Sequence, residues 1–289
     1  MSKPLLFVDH ATGLGGAERS LLLILQYLDR GRWAPHLAGR DGPLLAAAQD
    51  LGVPVHPVAL PRLRRSPRFP ADWWGGAREL AKLARWLGAK AIYANTVRAA
   101  LYAAPAGLLA RRPFVWHMRD FWLSESRPER EWPDRLGKGL LTGRARLVIT
   151  NSAVVQAHLP LRDKVRVVHN GIDLARFPAG TNSTMFREQF GIPAGVPLVG
   201  MVGRLRPWKG QQTFLEMAAR VLADRPDAQF LLVGGNPFGN PDDYPRQLEQ
   251  LTADLGLQDR VTFTGQIEDV PGALAAMDLF VHPGAPEPF

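Results

Sequence analysis

Apolar residues along this chain gather in short uninterrupted runs separated by longer segments of mixed polarity. Residues 5–8, 91–93, 114–117 and 147–150 are such runs, the pattern of strands buried on both faces of a parallel sheet, and residues 165–168 continue it with Arg166 as an interruption. A further strand is expected near residues 35–38. Between the runs lie stretches rich in Ala and Leu, of which residues 17–28 are the clearest helix. Strand, turn and helix in alternation predict an α/β, doubly wound parallel sheet. Residues 177–184 then have the Pro, Gly, Asn, Ser and Thr composition of a linker. The pattern restarts beyond it, with strands expected at 198–202, 229–233, 261–264 and 279–282 and helices at 212–223 and 245–255. Two Rossmann-like domains in tandem, 1–176 and 185–289, follow from this restart.

Composition narrows the class. With 46% hydrophobic and 21% charged residues the chain of 289 is globular, and its 28 Gly and 25 Pro fall between apolar runs without a triplet period. The absence of cysteine excludes disulfides, thiolate catalysis and Cys-ligated metals. No charge-free stretch reaches the ~18 residues of a membrane span, and the apolar start is too short for a signal peptide; a cytoplasmic protein is expected. Charge is uneven. Residues 1–176 hold 27 Lys and Arg against 14 Asp and Glu, a balance of +13, whereas residues 177–289 carry 8 against 13, or −5. Arg62, Arg64, Arg65 and Arg68 crowd one proline-flanked stretch before Trp73 and Trp74, a mixture suited to anionic lipid heads, phosphorylated substrates or nucleic acid, or to a merely solvated surface. No nucleic-acid fold signature accompanies it, and no nucleic-acid partner is expected.

Candidate chemistry sits at the carboxyl ends of the predicted strands, where doubly wound sheets bind ligands. The turn 13–16 opens a helix and offers backbone amides to an anion, or is merely a tight turn. Its spacing departs from the dinucleotide fingerprint, which weakens the alternative of an NAD-dependent oxidoreductase. In the second domain the turn from Gly203 to Gly210 contains Arg204, Arg206 and Lys209. A guanidinium forks two phosphate oxygens and an ammonium adds a point charge, so Arg204 and Lys209 together can neutralise a diphosphate without metal. Glu287 follows the last strand and can accept from sugar hydroxyls, or be a solvated turn residue. His117 ends a strand beside Arg119 and Asp120, where it can bond a sugar or phosphate or be a satisfied structural histidine. Asn95 and Asn151 read as turn formers; Asn170, in His-Asn-Gly-Ile-Asp, stands beside a glycine that permits close approach of a ligand. Metal-hydrolase, serine-hydrolase and Walker motifs are missing.

Taken in order, Gly-Gly-Ala-Glu at 15–18, His-Met-Arg-Asp at 117–120, Asn-Gly-Ile-Asp at 170–173, Gly-Arg and Trp-Lys-Gly within 203–210, and Glu-Pro-Phe at 287–289 resemble the motifs of a family 4 retaining glycosyltransferase. The resemblance spans the whole chain. It implies the GT-B architecture, with an acceptor domain first and a nucleotide-sugar domain second, facing a cleft. It further implies that Arg204 and Lys209 bind the diphosphate of a UDP- or GDP-linked sugar, that Glu287 holds the donor sugar, and that His117 sits near the anomeric carbon. Gly15, Gly16, Asn170 and Gly203 would line the donor site. No cofactor or metal is implied; the acceptor would be a glycan or lipid-linked glycan of the bacterial envelope, met at an anionic membrane surface through the basic first domain.

One departure matters. The family pattern continues past Glu-Pro-Phe to a second Glu, seven residues after the first, that binds the nucleotide ribose, and this sequence stops at Phe289. A shortened second domain, poor activity or a merely nucleotide-binding fragment, and an uncovered sheet edge are therefore expected; equal turnover by a version extended through the second Glu would refute the loss.

Overall fold

The computed structural model describes residues 2–61, 69–123, 127–178, 180–235, 243–285 and 287–288. Arg62, Arg64, Arg65 and Arg68 lie outside the described residues, as does Phe289 of the last motif. The chain divides into two compact units, Met1–Ile172 with Pro288–Phe289, and Asp173–Glu287.

The first unit alternates strand and helix: β1 (Lys3–Val8), α1 (Gly16–Tyr27), β2 (Trp33–Gly39), α2 (Pro43–Asp50), β3 (Val55–Pro57), α3 (Phe69–Trp86), β4 (Ala91–Ala94), α4 (Val97–Ala110), β5 (Phe114–Met118), α5 (Glu131–Arg144), β6 (Leu147–Thr150), α6 (Ala153–Ala157) and β7 (Val165–Val167). Its seven strands are all parallel, in the order β3-β2-β1-β4-β5-β6-β7. The chain therefore winds outward from β1 in both directions, as a doubly wound sheet does. Leu6, Val8, Ile92, Trp116 and Val148 fill the centre of the sheet. Each fully buried aliphatic or aromatic side chain of this kind contributes roughly 1.5–3 kcal/mol, which is why these runs dominate the sequence pattern. Thr96 caps α4 by accepting from the Ala99 amide.

The second unit repeats the plan with fewer elements: α7 (Thr184–Gln189), β8 (Leu198–Val202), α8 (Gln211–Asp224), β9 (Gln229–Val233), α9 (Tyr244–Asp254), β10 (Val261–Gly265), α10 (Val270–Ala276) and β11 (Leu279–Phe280). The parallel order is β10-β9-β8-β11. Met201, Phe214, Phe230 and Leu248 pack one face and Phe186, Leu198, Leu231 and Ala273 the other. The last strand is two residues long, shorter than the run 279–282 predicts, and both residues are exposed. Two glycines shape the crevice end of this sheet. Gly210 starts α8 with φ of 81°, and a Cβ there would meet the Pro283 backbone at 2.9 Å. Gly234, with φ of 141°, lies against the Gly203 carbonyl so closely that any side chain would collide.

Candidate functional sites at the strand ends

In the first unit the polar chemistry gathers just beyond the strands at which the winding reverses. Asp9 follows β1, Asn95 follows β4, and His117 and Arg119 close β5; all four are buried. Asp9 accepts from the Ala11 amide at 2.9 Å and from Asn95 Nδ2 at 2.7 Å. Burial raises its pKa against the pull of those bonds and of Arg119. Asn95 passes the interaction on, its Oδ1 accepting from Arg119 Nε at 3.1 Å. Arg119 Nη1 donates to Ser20 Oγ at 2.9 Å and to Asn170 Oδ1 at 2.7 Å, and Nη2 reaches His117 Nδ1 at 3.1 Å. The Tyr93 hydroxyl meets the same ring nitrogen at 2.5 Å. Burial, and secondly the Arg119 charge, push the His117 pKa down to about 3, so the ring is neutral at physiological pH. The other ring nitrogen, Nε2, is buried with no hydrogen-bond partner among the described residues.

The turn ahead of α1 is differently occupied than an anion site requires. The Gly15 amide donates to Glu18 Oε2 at 2.8 Å, the N-terminal half of a capping arrangement. Glu18 is itself buried, and burial followed by repulsion from Asp9 raises its pKa. Gly16, the first residue of α1, has nothing within 4 Å of where a Cβ would stand.

In the second unit the cationic turn follows β8. The Gly203 amide donates to the Val233 carbonyl at 2.8 Å, and a 3-10 turn over Pro207–Lys209 leads through Gly210 into α8. Gln211, fully buried, braces the turn by donating from Nε2 to the Arg204 carbonyl at 2.8 Å. Lys209 Nζ lies 2.6 Å from Glu287 Oε1, and His282 Nε2 lies 3.4 Å from that oxygen. The Ala285 amide donates to the Trp208 carbonyl at 3.2 Å, which ties the segment after β11 to the turn. The pair is partly accessible, Lys209 being 18% and Glu287 17% exposed. Arg204 is exposed and Arg206 buried, with its guanidinium 6.0 Å from the Trp208 ring.

The structure thus brings Lys209 and Glu287 together, with Arg204 and Gly203 on the same turn, and it joins His117 to Asn170 through Arg119. Asn151 is buried and donates from Nδ2 to the Arg119 carbonyl at 3.3 Å. Sequence reasoning missed Asp9 and the relay role of Asn95, although a carboxylate directly after a buried strand was a signal available for Asp9.

Against known proteins, a family model described as Glycosyltransferase Family 4 matches residues 14–176, and one described as Glycosyl transferases group 1 matches residues 196–289. A D-inositol 3-phosphate glycosyltransferase of Mycolicibacterium smegmatis is 32% identical over 161 residues, 53% of this chain and 36% of that protein. The lipopolysaccharide core biosynthesis mannosyltransferase LpsB of Rhizobium meliloti is 32% identical over 136 residues, 47% of this chain and 38% of LpsB. The chain spans about a third of the length of these curated relatives. Among solved structures, Anabaena Alr3699/HepE in complex with UDP and glucose superposes with a TM-score of 0.80 at 30% identity, over 99% of this chain and 75% of that one.

Proposed function

As this chain belongs to glycosyltransferase family 4 and has the GT-B fold, we propose that it moves a sugar from a nucleoside-diphosphate sugar to an acceptor hydroxyl with retention at the anomeric carbon. The observation that carries this reading is the contact of Glu287 with Lys209, which shares with Arg204 the turn at the carboxyl end of β8. Arg204 and Lys209 hold the diphosphate, and Gly203 lets it approach the backbone. Glu287 accepts from the donor sugar's hydroxyls. In the first unit, taken by itself, His117 is read as a donor to a sugar oxygen, and Asn170, Gly15 and Gly16 as residues that line a sugar site.

Breaking the bond between the anomeric carbon and the phosphate oxygen builds positive charge on the sugar ring and negative charge on the leaving diphosphate. Fixed cations at the diphosphate stabilise that state directly, a type of interaction that contributes roughly 2.7–4 kcal/mol per donor removed. The acceptor oxygen forms the new bond on the same face, and its proton passes to the departing phosphate oxygen. Neither a metal nor an enzymic nucleophile takes part in this route.

A uridine diphosphate sugar is the first donor to try, because the 30% identical HepE was solved with UDP, glucose and UDP-glucose. Calorimetric titration with UDP-glucose and a GDP-linked sugar, followed by product analysis, tests the reading. Binding of one donor with transfer supports it; nucleotide binding without transfer marks a binding module; binding of neither overturns it.

The acceptor is a glycan or glycolipid of the bacterial envelope, reached at the cytoplasmic face of the membrane. Among the described residues no helix is long and apolar enough to cross a membrane; the +13 balance of residues 1–176 supports a peripheral seat, each well-placed cation adding ~1 kcal/mol. Sedimentation with anionic vesicles that weakens as salt rises supports this, and no binding at any salt removes it.

A further inference from the structure

We propose that Arg119 is a positioning residue that holds His117 in the tautomer carrying its proton on Nε2, leaving that N–H as a fixed donor. The inference rests on the reading of His117 as a substrate-facing group and says which part of the ring does the work. Arg119 Nη2 is 3.1 Å from His117 Nδ1. A guanidinium has only donors, so Nδ1 must present its lone pair. The Tyr93 hydroxyl, 2.5 Å from the same nitrogen, must then also donate; its pKa is raised by burial, which keeps the phenol protonated. One proton remains on the neutral ring, and it can only be on Nε2.

The guanidinium cannot swing away, because its other nitrogens are engaged. Nε is bonded to Asn95, whose own amide is held by Asp9, and Nη1 to Ser20 and Asn170. The charged groups around the ring are therefore Arg119 itself, with Asp9, Glu18 and Asp120 acting on Arg119. The ring's free atom is buried and lacks a partner among the described residues, an arrangement that leaves its desolvation uncompensated. A ligand oxygen that accepts a hydrogen bond removes this deficit; a ligand N–H or O–H that must donate does not. His117 is on this account a neutral donor, unable to take a proton from the acceptor through Nδ1.

Long-range proton–nitrogen NMR of the full chain with labelled histidine tests this without substrate. The His117 signals are those lost in His117→Gln. We expect a protonated Nε2 and an unprotonated Nδ1, unchanged from pH 5 to 8. In Arg119→Met the ring should sample both tautomers and titrate, its midpoint moving from about 3 towards the ordinary ~6.5. Tyr93→Phe keeps the guanidinium and should remain locked, which preserves the test should Arg119→Met not fold. A proton on Nδ1 in the wild type, an unlocked ring in Tyr93→Phe, or a locked ring in folded Arg119→Met would overturn the proposal. Full sugar transfer by His117→Leu, which has no donor, alongside a locked wild-type spectrum would instead overturn the substrate reading and leave tautomer control standing.

Discussion

The turns that follow the first strand of each unit both lead into a helix and carry opposite chemistry. After β1 the chain places Asp9 and Glu18, two buried acids, and Glu18 takes up the Gly15 amide at 2.8 Å. After β8 it places Arg204, Arg206 and Lys209, and Glu287, the acid that meets Lys209, is partly accessible like its partner. A strand, glycine turn and helix thus make a crevice without deciding its sign. Side chains decide it: the first turn spends its polar groups on one another, and the second keeps cations where a ligand can compete for them. The two sites should accordingly fail in different ways when cut.

Asp9→Ala should give the largest loss. It strips Asn95 Nδ2 of its acceptor and removes a buried carboxyl that acts on Arg119, and removing one member of a buried, charge-bearing network typically costs ~3–5 kcal/mol. Urea denaturation is the measurement; a loss below 1 kcal/mol would mean that the network is not structural. Lys209→Ala should do the reverse. A partly exposed pair contributes ~1 kcal/mol or less to stability, whereas a charge-assisted bond to a diphosphate is worth roughly 1.5–3 kcal/mol, or about 10- to 150-fold in UDP-glucose affinity. A large stability loss with unchanged affinity would erase the contrast between the sites.

The architecture was legible because its strands are buried on both faces and therefore continuous in apolar residues. β1, β6, β8 and β9 stand close to where their runs lie. β3, with His and Pro in three residues at the sheet edge, has no run to read, and α10 is only seven residues long and opens on Val-Pro-Gly. The candidate site was legible where its residues are close in sequence, as in the turn from Gly203 to Gly210. Asn95 read as a turn former because its partners lie far away along the chain: Asp9 is 86 residues from it and Arg119 is 24. Burial of that kind is a property of the fold, and no local spacing reports it.

Acid sensitivity separates the sites again. His117 binds a proton near ~6.5 when unfolded and only near about 3 when folded. As pH falls from 6.5 towards 3 the unfolded chain takes up the proton and the folded one does not, so stability falls by up to ~1.4 kcal/mol per pH unit. His36 and His56, both lowered by burial, act in the same direction, while Asp9 and Glu18, raised in the fold, act against it as they protonate. His117→Gln should flatten the slope of stability between pH 6 and 4 by about one proton's worth. An unchanged slope would mean that the ring is not held neutral.

The smallest effect is the most discriminating. Glu287 sits 2.6 Å from Lys209, so an incoming diphosphate must draw the ammonium away from a carboxylate, and a partly exposed pair resists by about 0.2–1 kcal/mol. Glu287→Gln removes that competition while keeping a group able to accept from a hydroxyl. UDP alone should then bind as tightly as before or up to about fivefold tighter. UDP-glucose should gain less than UDP or lose affinity, since the neutral amide is a weaker acceptor for sugar hydroxyls than the carboxylate. Calorimetry with both ligands on both proteins gives the difference directly. Were UDP to weaken as much as UDP-glucose, Glu287 would serve the turn's shape rather than the sugar, and the cationic turn would owe its ligand site to the backbone around Gly203 and Gly210.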